Sequence, residues 1–263
     1  MNGFIYAASG QSCLAEFLES YQTLRLVMPD ANVTLVTDMN IEVKGVNIIN
    51  LKSTLPKTHP LEGFLYKTAA ANLSPYKKTI LLDCDTYVIK QLFRLFDLVD
   101  SFDICASLSP YDTIWPRIGN KKLLGFTPVN SGVVCFSDSL KSTAIIRKWG
   151  DILRGKIKSS STRKNEGDQT SLNESIFIND GRLCVLPNNF NLRIFRGPRR
   201  RHAPAVVEGE VYILHTHIRL KAEEGILFGE SLNRKINSHK LIRGIFIRHG
   251  KIVVNKYLKN REL

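Results

Sequence analysis

Two aspartates one residue apart, Asp83 and Asp85, are the residues of this sequence best suited to chemistry. They follow an apolar run over residues 79–82, the kind of run that forms a strand buried on both faces of a parallel sheet. Carboxylates at the end of a buried strand are costly unless a positive charge compensates them. Their hard oxygen ligands suit Mn²⁺ or Mg²⁺, which proteins commonly share with substrate phosphates. The pair therefore predicts a divalent metal site beside a phosphate-bearing ligand.

The elements that must position this pair alternate between strand and helix. Apolar runs over residues 4–8, 33–37 and 46–51 predict strands, and helical spacing predicts helices over 14–24 and 62–73. This order predicts an α/β fold with a single, mostly parallel sheet flanked by helices and joined by right-handed crossovers. Ligands of such sheets bind beyond the carboxyl ends of the strands, which is where the aspartate pair lies.

The second half of the chain is less regular. Its patterns predict strands over residues 103–108 and 131–136, a helix over 140–153, an exposed loop over 155–167, a helix from Asp168, strands over 183–186 and 211–215, and a hairpin over 244–254. The sequence contains no internal repeat and no clear linker. A single domain over 1–263 is therefore expected.

The charge of the chain narrows the kind of partner. The 37 Lys and Arg residues exceed the 24 Asp and Glu residues, and the net charge of +13 favours nucleotides, phosphorylated lipids, acidic glycans or nucleic acid. The basic runs over 196–202 and 234–261 fit either a solvated surface or a clamp on an anionic acceptor or membrane. Few aromatic residues interleave with them, so no nucleic acid partner is expected.

The compartment is predicted from the cysteines and the hydropathy. Five scattered cysteines without a Cys-x-x-Cys pair favour free thiols in a reducing compartment. The start of the sequence lacks the pattern of a signal peptide, and no window is apolar enough for a transmembrane helix. A cytoplasmic protein is expected, which would reach a membrane-bound acceptor through its surface charge.

The stretch around Asp83 resembles the DxD motif of GT-A-fold glycosyltransferases, in particular the glycogenin-like group, glycosyltransferase family 8. Other segments resemble the same family in the same order: the nucleotide-binding strand at 4–8, the F-N-S-G-V segment at 126–133, the D-Q pair at 166–169 and the late strand ending in a metal-binding histidine at 212–215. The resemblance covers most of the chain. It implies a nucleotide-binding half over 1–110, a donor-sugar and acceptor half over 111–220 and a basic C-terminal helix and hairpin over 221–263.

The resemblance also implies a role for each matching residue. The metal, Mn²⁺ or Mg²⁺, would be bound by Asp83, Asp85 and His215. The donor sugar would be positioned for catalysis by Asn130, Asp168 and Gln169. The rest of the donor would be contacted by Tyr6, Ala7, Ala8, Asp38, Lys67, Asp83, Ser131, Gly132 and Lys221. The implied reaction moves a hexose from a UDP-sugar to a glycan, lipid-linked or protein acceptor, with retention of anomeric configuration.

The sequence departs from the family after the late histidine. The family pattern continues with a glycine, a lysine and Pro-Trp, whereas residues 216–221 contain neither that glycine nor Pro-Trp. Arg219 or Lys221 stands where the phosphate-binding lysine is expected. Purely structural roles also stay open, among them a core histidine at His215 and a helix N-cap at Asp168.

Three rival functions fit parts of the pattern. A haloacid-dehalogenase-like phosphatase also places a D-x-D after an apolar strand, but its motif requires Thr or Val where this chain has Tyr87. A sugar nucleotidyltransferase requires a Gly-rich loop with an Arg after the first strand, and residues 7–11 do not provide one. A non-catalytic protein that binds nucleic acid or an anionic surface explains the charge but leaves the aspartate pair and His215 without a role.

Overall fold

The computed structural model describes residues 1–52, 61–109, 117–118, 121–123, 125–158, 167–193 and 210–215. The helices are α1 (Gly10–Val27), α2 (Glu62–Asn72), α3 (Phe93–Leu98), α4 (Leu140–Lys158) and α5 (Asp168–Ile178), with a 3-10 turn at Asn188–Phe190. The strands are β1 (Asn2–Ala8), β2 (Val33–Thr37), β3 (Asn47–Asn50), β4 (Lys78–Leu82), β5 (Thr86–Val88), β6 (Ile104–Leu108), β7 (Arg117–Ile118), β8 (Lys121–Lys122), β9 (Val129–Ser137), β10 (Leu183–Leu186), β11 (Leu192–Arg193) and β12 (Ile213–His215). The predicted α/β fold is confirmed.

The main sheet has seven strands in the order β10-β6-β9-β4-β1-β2-β3. Every neighbouring pair is parallel except those of β9, which runs antiparallel to both β4 and β6. Because β9 is reversed, its first residues lie beside the last residues of β4, with Leu82 opposite Val133. This arrangement brings the segment that begins at Asn130 next to the aspartate pair.

Both faces of the sheet are covered by helices, which explains its continuous apolar strands. Side chains of α1 and α3, such as Phe17 and Phe96, pack in one core with Phe4 and Tyr6 of β1. Trp149 of α4 packs in the second core with residues of α2 and α5 on the opposite face. Alternate side chains of β1 point into opposite cores, with Phe4 and Tyr6 in the first and Ile5 in the second. Strand β1 is therefore packed on both faces up to its carboxyl end.

A small sheet in the order β11-β12-β5 lies beyond the end of β4. Strand β12 is antiparallel to β5, with His215 opposite Thr86, and parallel to β11, with Arg193 opposite His215. Because β5 begins directly after the aspartate pair, this pairing places His215 beside Asp85. The backbone N–H of Ile89 also donates to the carbonyl of Tyr212 at 2.8 Å.

The predicted loop over 155–167 is wrong at its start, because α4 continues to Lys158. The polar composition of this stretch favoured a loop, but the Lys156 ammonium pairs with the Glu174 carboxylate of α5 at 2.9 Å and keeps the last turn packed. Residues 159–166 lie outside the described part of the chain, as do the predicted hairpin over 244–254 and the basic run over 196–202.

The prediction of free thiols is confirmed for all five cysteines. Cys84, Cys105 and Cys135 are buried, and Cys13 and Cys184 are half-buried. Within the described ranges, no helix combines the length and the apolar character that crossing a bilayer requires.

Candidate active site

A cleft of about 330 Å³ opens at the carboxyl ends of β1 and β4 and at the start of β9. It brings together residues that the sequence places more than one hundred positions apart. The predicted site residues that line it are Ala7, Lys67, Asp83, Asp85, Asn130, Ser131, Asp168, Gln169 and His215. The position beyond the strand ends is the one expected for ligands of an open α/β sheet.

The three predicted metal ligands form one cluster in this cleft. Asp83, Asp85 and His215 each offer a ligand atom, and these atoms lie within 4.8 Å of one another. Nε2 of His215 is 3.2 Å from Oδ1 of Asp85 and 3.8 Å from Oδ2 of Asp83. Two carboxylate oxygens and one imidazole nitrogen are a donor set that a divalent metal ion accepts.

The hydrogen bonds of His215 test whether this cluster fits a metal. Nδ1 of His215 lies 2.8 Å from Oδ1 of Asn191, whose Nδ2 donates to Oδ1 of Asn130 at 2.7 Å. The amide oxygen of Asn191 therefore faces the ring, and Nδ1–H donates to it. Nε2 is therefore the ring nitrogen that faces the carboxylate of Asp85, where a shared cation can bind. The residues present fit a divalent metal.

Lys67 joins the cluster of predicted metal ligands to the predicted sugar-binding residues. Its Nζ is 2.6 Å from Oδ1 of Asp83, 2.8 Å from Oδ2 of Asp168 and 3.1 Å from Oγ of Ser131. The hydroxyl of Ser131 in turn donates to Oδ2 of Asp168 at 2.7 Å. Lys67 is buried, so its ammonium belongs to a buried ion cluster and not to the solvated face of α2.

The charges of this cluster compensate one another. Burial alone would lower the pKa of Lys67, but the negative charges of Asp168 and Asp83 outweigh it and raise the pKa well above its usual range. Burial would likewise raise the pKa of Asp168, but the charge and hydrogen bond of Lys67, with the Ser131 hydroxyl and the Gln169 N–H, lower it. Lys67 and Asp168 are therefore a fully ionised buried pair at neutral pH.

Asp168 is the first residue of α5 rather than its N-cap, because Gly167 takes that place. The carboxylate of Asp168 points to Lys67 and Ser131, while its backbone carbonyl accepts a hydrogen bond from the Trp149 indole at 2.7 Å. Asp168 is therefore not the N-cap residue of α5, and its carboxylate faces the cleft.

Tyr6, Ala8 and Asp38, which are also predicted donor residues, do not line the cleft. The ring of Tyr6 is buried against Phe17, and its hydroxyl accepts a hydrogen bond from Ser20 at 3.1 Å. Ala8 is buried in the same core. Oδ1 of Asp38 accepts from the backbone N–H of Gly10 at 2.9 Å and so holds the start of α1. Lys221 lies outside the described residues.

Gly132 supports the site through its backbone and its lack of a side chain. Its carbonyl accepts from the N–H of Asp83 at 2.9 Å, which ties the aspartate pair to β9. A Cβ added to Gly132 would overlap the His215 ring, with 2.6 Å to Nδ1, and would lie 2.9 Å from Oδ1 of Asn130. The glycine is thus the residue that lets the histidine approach β9.

We therefore expect Gly132→Ala to displace the His215 ring and to weaken Mn²⁺ binding by about 10-fold or more. The added methyl group should also cost about 1–3 kcal/mol of folding stability, because the surrounding residues are close-packed. Isothermal titration with Mn²⁺ and urea denaturation measure the two effects. The control is Gly155→Ala in α4, where an added Cβ meets nothing within 4 Å. Unchanged Mn²⁺ affinity in Gly132→Ala would contradict the expected displacement.

Several residues of the site were not predicted from the sequence. Arg193, Phe64 and Glu16 line the cleft. Asn191 is buried and holds His215 and Asn130. The one signal in the sequence is the presence of three asparagines within residues 188–191, directly after a predicted strand. Such a run is also typical of a turn, so it did not indicate a site.

Comparisons with known proteins agree with this geometry at the level of the fold. No protein-family model and no curated protein sequence matches the chain. Solved structures match it well: an active-site mutant of LgtC aligns with a TM-score of 0.56 and 15% identity over 93% of this chain and 100% of LgtC. This chain has the GT-A fold.

Two further GT-A structures give the same result. The galactosyltransferase LgtC in complex with donor and acceptor sugar analogs aligns with a TM-score of 0.54 and 15% identity, covering 82% of this chain and 87% of that protein. Mouse xyloside xylosyltransferase 1 aligns with a TM-score of 0.53 and 16% identity, covering 83% of this chain and 98% of that protein. The GT-A fold predicted from the sequence is confirmed.

Proposed function

We propose that this protein is a glycosyltransferase that moves a hexose from a nucleoside diphosphate sugar, with uridine as the base, to an acceptor hydroxyl. The observation that carries the proposal is the cluster of Asp83, Asp85 and His215 in a cleft shared with the ion pair of Lys67 and Asp168. The cluster of metal ligands suits a leaving diphosphate, and the ion pair suits the hydroxyl groups of a sugar. We further propose retention of anomeric configuration and a distant relationship to family 8.

The leaving group determines what the metal side of the cleft must do. Departure of a nucleoside diphosphate develops negative charge on its phosphate oxygens. A Mn²⁺ or Mg²⁺ ion held by Asp83, Asp85 and His215 would supply Lewis-acid neutralisation of that charge. Within the described lining, the cationic side chains are Lys67 and Arg193. Lys67 forms ion pairs with Asp83 and Asp168 and so holds these two carboxylates together. We assign Arg193, which lines the cleft and pairs in register with His215, to the diphosphate.

The sugar side of the cleft is built for positioning. The ionised carboxylate of Asp168 can accept hydrogen bonds from sugar hydroxyls, and Lys67 fixes its orientation. We call the part of the cleft lined by Asn130, Asp168 and Gln169 the sugar pocket. The amides of Asn130 and Gln169 are hydrogen-bonded to each other at 2.5 Å, which fixes the position of Gln169 there. Positioning of the sugar and the acceptor hydroxyl can supply several kcal/mol of the barrier reduction.

The acceptor and the location follow from charge. The excess of basic residues suits an acceptor that is anionic or lies on an anionic surface, such as an acidic glycan, a lipid-linked sugar or a protein. We propose that the protein is cytoplasmic and associates peripherally with a membrane when the acceptor is lipid-linked. No nucleic acid partner is proposed.

A thermal-shift series tests the proposed function. Nucleoside diphosphates and their sugars should raise the Tm in the presence of Mn²⁺ and much less in its absence, because a ligand that binds the folded state alone stabilises it by mass action. Uridine diphosphate should give the largest shift. Incubation of the best donor with simple acceptor glycosides, followed by NMR of the product, determines the anomeric configuration.

The contrary results are equally clear. If no nucleoside diphosphate stabilises the protein in a metal-dependent way, the proposed function is wrong and a non-catalytic anionic-surface binding protein is favoured. If a phosphate becomes covalently attached to Asp83 during turnover, as mass spectrometry would detect, the phosphatase is favoured instead.

A further inference from the structure

His215 is the end of a chain of side-chain amides that starts in the sugar pocket. Nε2 of Gln169 donates to Oγ of Ser109 at 2.9 Å, and Nδ2 of Asn130 donates to Oε1 of Gln169 at 2.5 Å. Nδ2 of Asn191 donates to Oδ1 of Asn130 at 2.7 Å, and Oδ1 of Asn191 lies 2.8 Å from Nδ1 of His215. We call Gln169, Asn130 and Asn191 the amide relay.

A backbone group fixes the direction of the amide relay. The N–H of Gly132 donates to Oδ1 of Asn130 at 2.9 Å, so the oxygen of this amide must face Gly132 and its nitrogen must face Gln169. Asn191 can then approach Oδ1 of Asn130 only with its nitrogen, and it presents its oxygen to the imidazole. Because each amide has one donating and one accepting end, the orientation passes along the relay without ambiguity.

The direction of the relay decides which ring nitrogen of His215 carries the proton. An amide oxygen beside Nδ1 requires Nδ1–H, which leaves Nε2 as the ligand atom. In the opposite tautomer Nε2–H would donate to Oδ1 of Asp85, now 3.2 Å away, and would occupy the space between them. Asp83, Asp85 and His215 can therefore bind a metal together only when Asn191 accepts a hydrogen bond from Nδ1.

We propose that Asn191 is a positioning residue for metal binding at this site and that the amide relay ties this role to the sugar pocket. Its oxygen selects the metal-binding tautomer of His215, and its nitrogen links that state to Asn130 and Gln169. Asn191 is buried at 4% exposure and lines neither the metal cluster nor the cleft, so it acts only through its neighbours. The link to the sugar pocket rests on the proposed function, whereas the choice of tautomer does not.

The tautomer can be measured in the protein without metal. In ¹⁵N-histidine-labelled protein in alkaline buffer, His215 should show the Nδ1–H tautomer, with its signal assigned by its loss in His215→Gln. In Asn191→Ala the Nε2–H tautomer should become the major form, because Asp85 is then the nearest acceptor. A His215 signal that is the same in both proteins would overturn the proposal.

Mn²⁺ titration provides the second readout. Loss of an outer-shell partner of a ligating histidine typically weakens metal affinity by about 10- to 100-fold, and we expect this in Asn191→Ala. Asn191→Asp keeps an oxygen toward Nδ1 and should restore the affinity to within a few-fold of the wild type. It places an oxygen against Oδ1 of Asn130, so it should weaken binding of the nucleotide sugar more than that of the nucleoside diphosphate.

A matched control separates positioning from local damage. Asn189 lies two residues earlier, and its Nδ2 donates to the carbonyl of Glu210 at 2.9 Å at the start of the same segment as His215. Asn189→Ala should leave Mn²⁺ affinity unchanged. Equal losses in Asn189→Ala and Asn191→Ala, or no rescue by Asn191→Asp, would overturn the proposal. If the wild type binds no divalent metal, the proposed function and the role of Asn191 in metal binding both fail. If it binds metal but no nucleotide sugar, only the link to the sugar pocket fails, and the NMR measurement still decides whether Asn191 selects the tautomer.

Discussion

Asp85→Asn should lower metal-dependent sugar transfer by about 10³-fold, because it removes a charged metal ligand and leaves a neutral amide in its place. Asp85 is buried at 6% exposure, and the amide has the same shape, so the fold should remain. Without metal, the Tm should be equal to that of the wild type or higher, since a carboxylate is removed from a cluster that already holds Asp83. Transfer assays and Mn²⁺ titration measure the loss.

Asp100→Asn is the matched control for this substitution. The side chain of Asp100 is 62% exposed and pairs with Lys78 at 2.6 Å. Lys78 is the first residue of β4, at the end of the strand away from the cleft. Its loss should leave transfer and Mn²⁺ affinity unchanged, because exposed ion pairs contribute little. Metal-dependent transfer at the wild-type rate in Asp85→Asn would show that the cluster is not the metal site.

Lys67→Met should destabilise the protein by about 3–5 kcal/mol at neutral pH, the usual cost of leaving a buried charge without its partner. Methionine has a similar length but no charge, so Asp168 and Asp83 would face each other's field without compensation. Urea denaturation measures the free energy of unfolding. In Lys78→Met, which breaks an ion pair with an exposed partner, the change should stay below about 1 kcal/mol.

The pH dependence of this loss has a definite sign. Lys67 lowers the pKa of Asp168 in the folded protein. The ion pair therefore stabilises the folded state fully above the ordinary carboxyl pKa. This stabilisation disappears as the pH falls through the pKa of Asp168 in the folded protein. In Lys67→Met burial raises the pKa of Asp168, and the carboxyl group is protonated more readily. The difference in unfolding free energy between the two proteins should therefore shrink between about pH 7 and about pH 3. A difference that is constant with pH would contradict the buried ion pair.

Local patterns predicted most strands of the first half of the chain, but they did not predict β5 or α3. Strand β2 was predicted with its observed ends, and β1, β4 and α2 were predicted within two residues. Both faces of these strands are covered, so their sequences are continuously apolar, and the polar residues mark the ends. The same signal placed Asp83 and Asp85 at the carboxyl end of β4, because a carboxylate cannot continue a buried strand.

Local patterns failed where a residue's role depends on a distant partner. The end of α4 was missed because Lys156 is polar in sequence but is held by Glu174 of another helix. Asn191 was missed because an asparagine after a strand has the same local signal whether it forms a turn or a buried hydrogen bond. The N-cap position considered for Asp168 was wrong by one residue, because Gly167 is the N-cap and the Asp168 carboxylate pairs with Lys67 of α2.

The sequence by itself thus determined the type of fold, the ends of the buried strands and the residue types of the site. Those properties follow from hydrophobic periodicity and from the cost of burying charge, which act over a few neighbouring residues. Only the tertiary structure decided that β9 runs antiparallel beside β4, that β12 pairs with β5, and that Asn191 orients His215. Pairing and register between distant segments depend on how the side chains of both hydrophobic cores pack together. That closure brings Asp83, Asp85 and His215 to one point in the cleft.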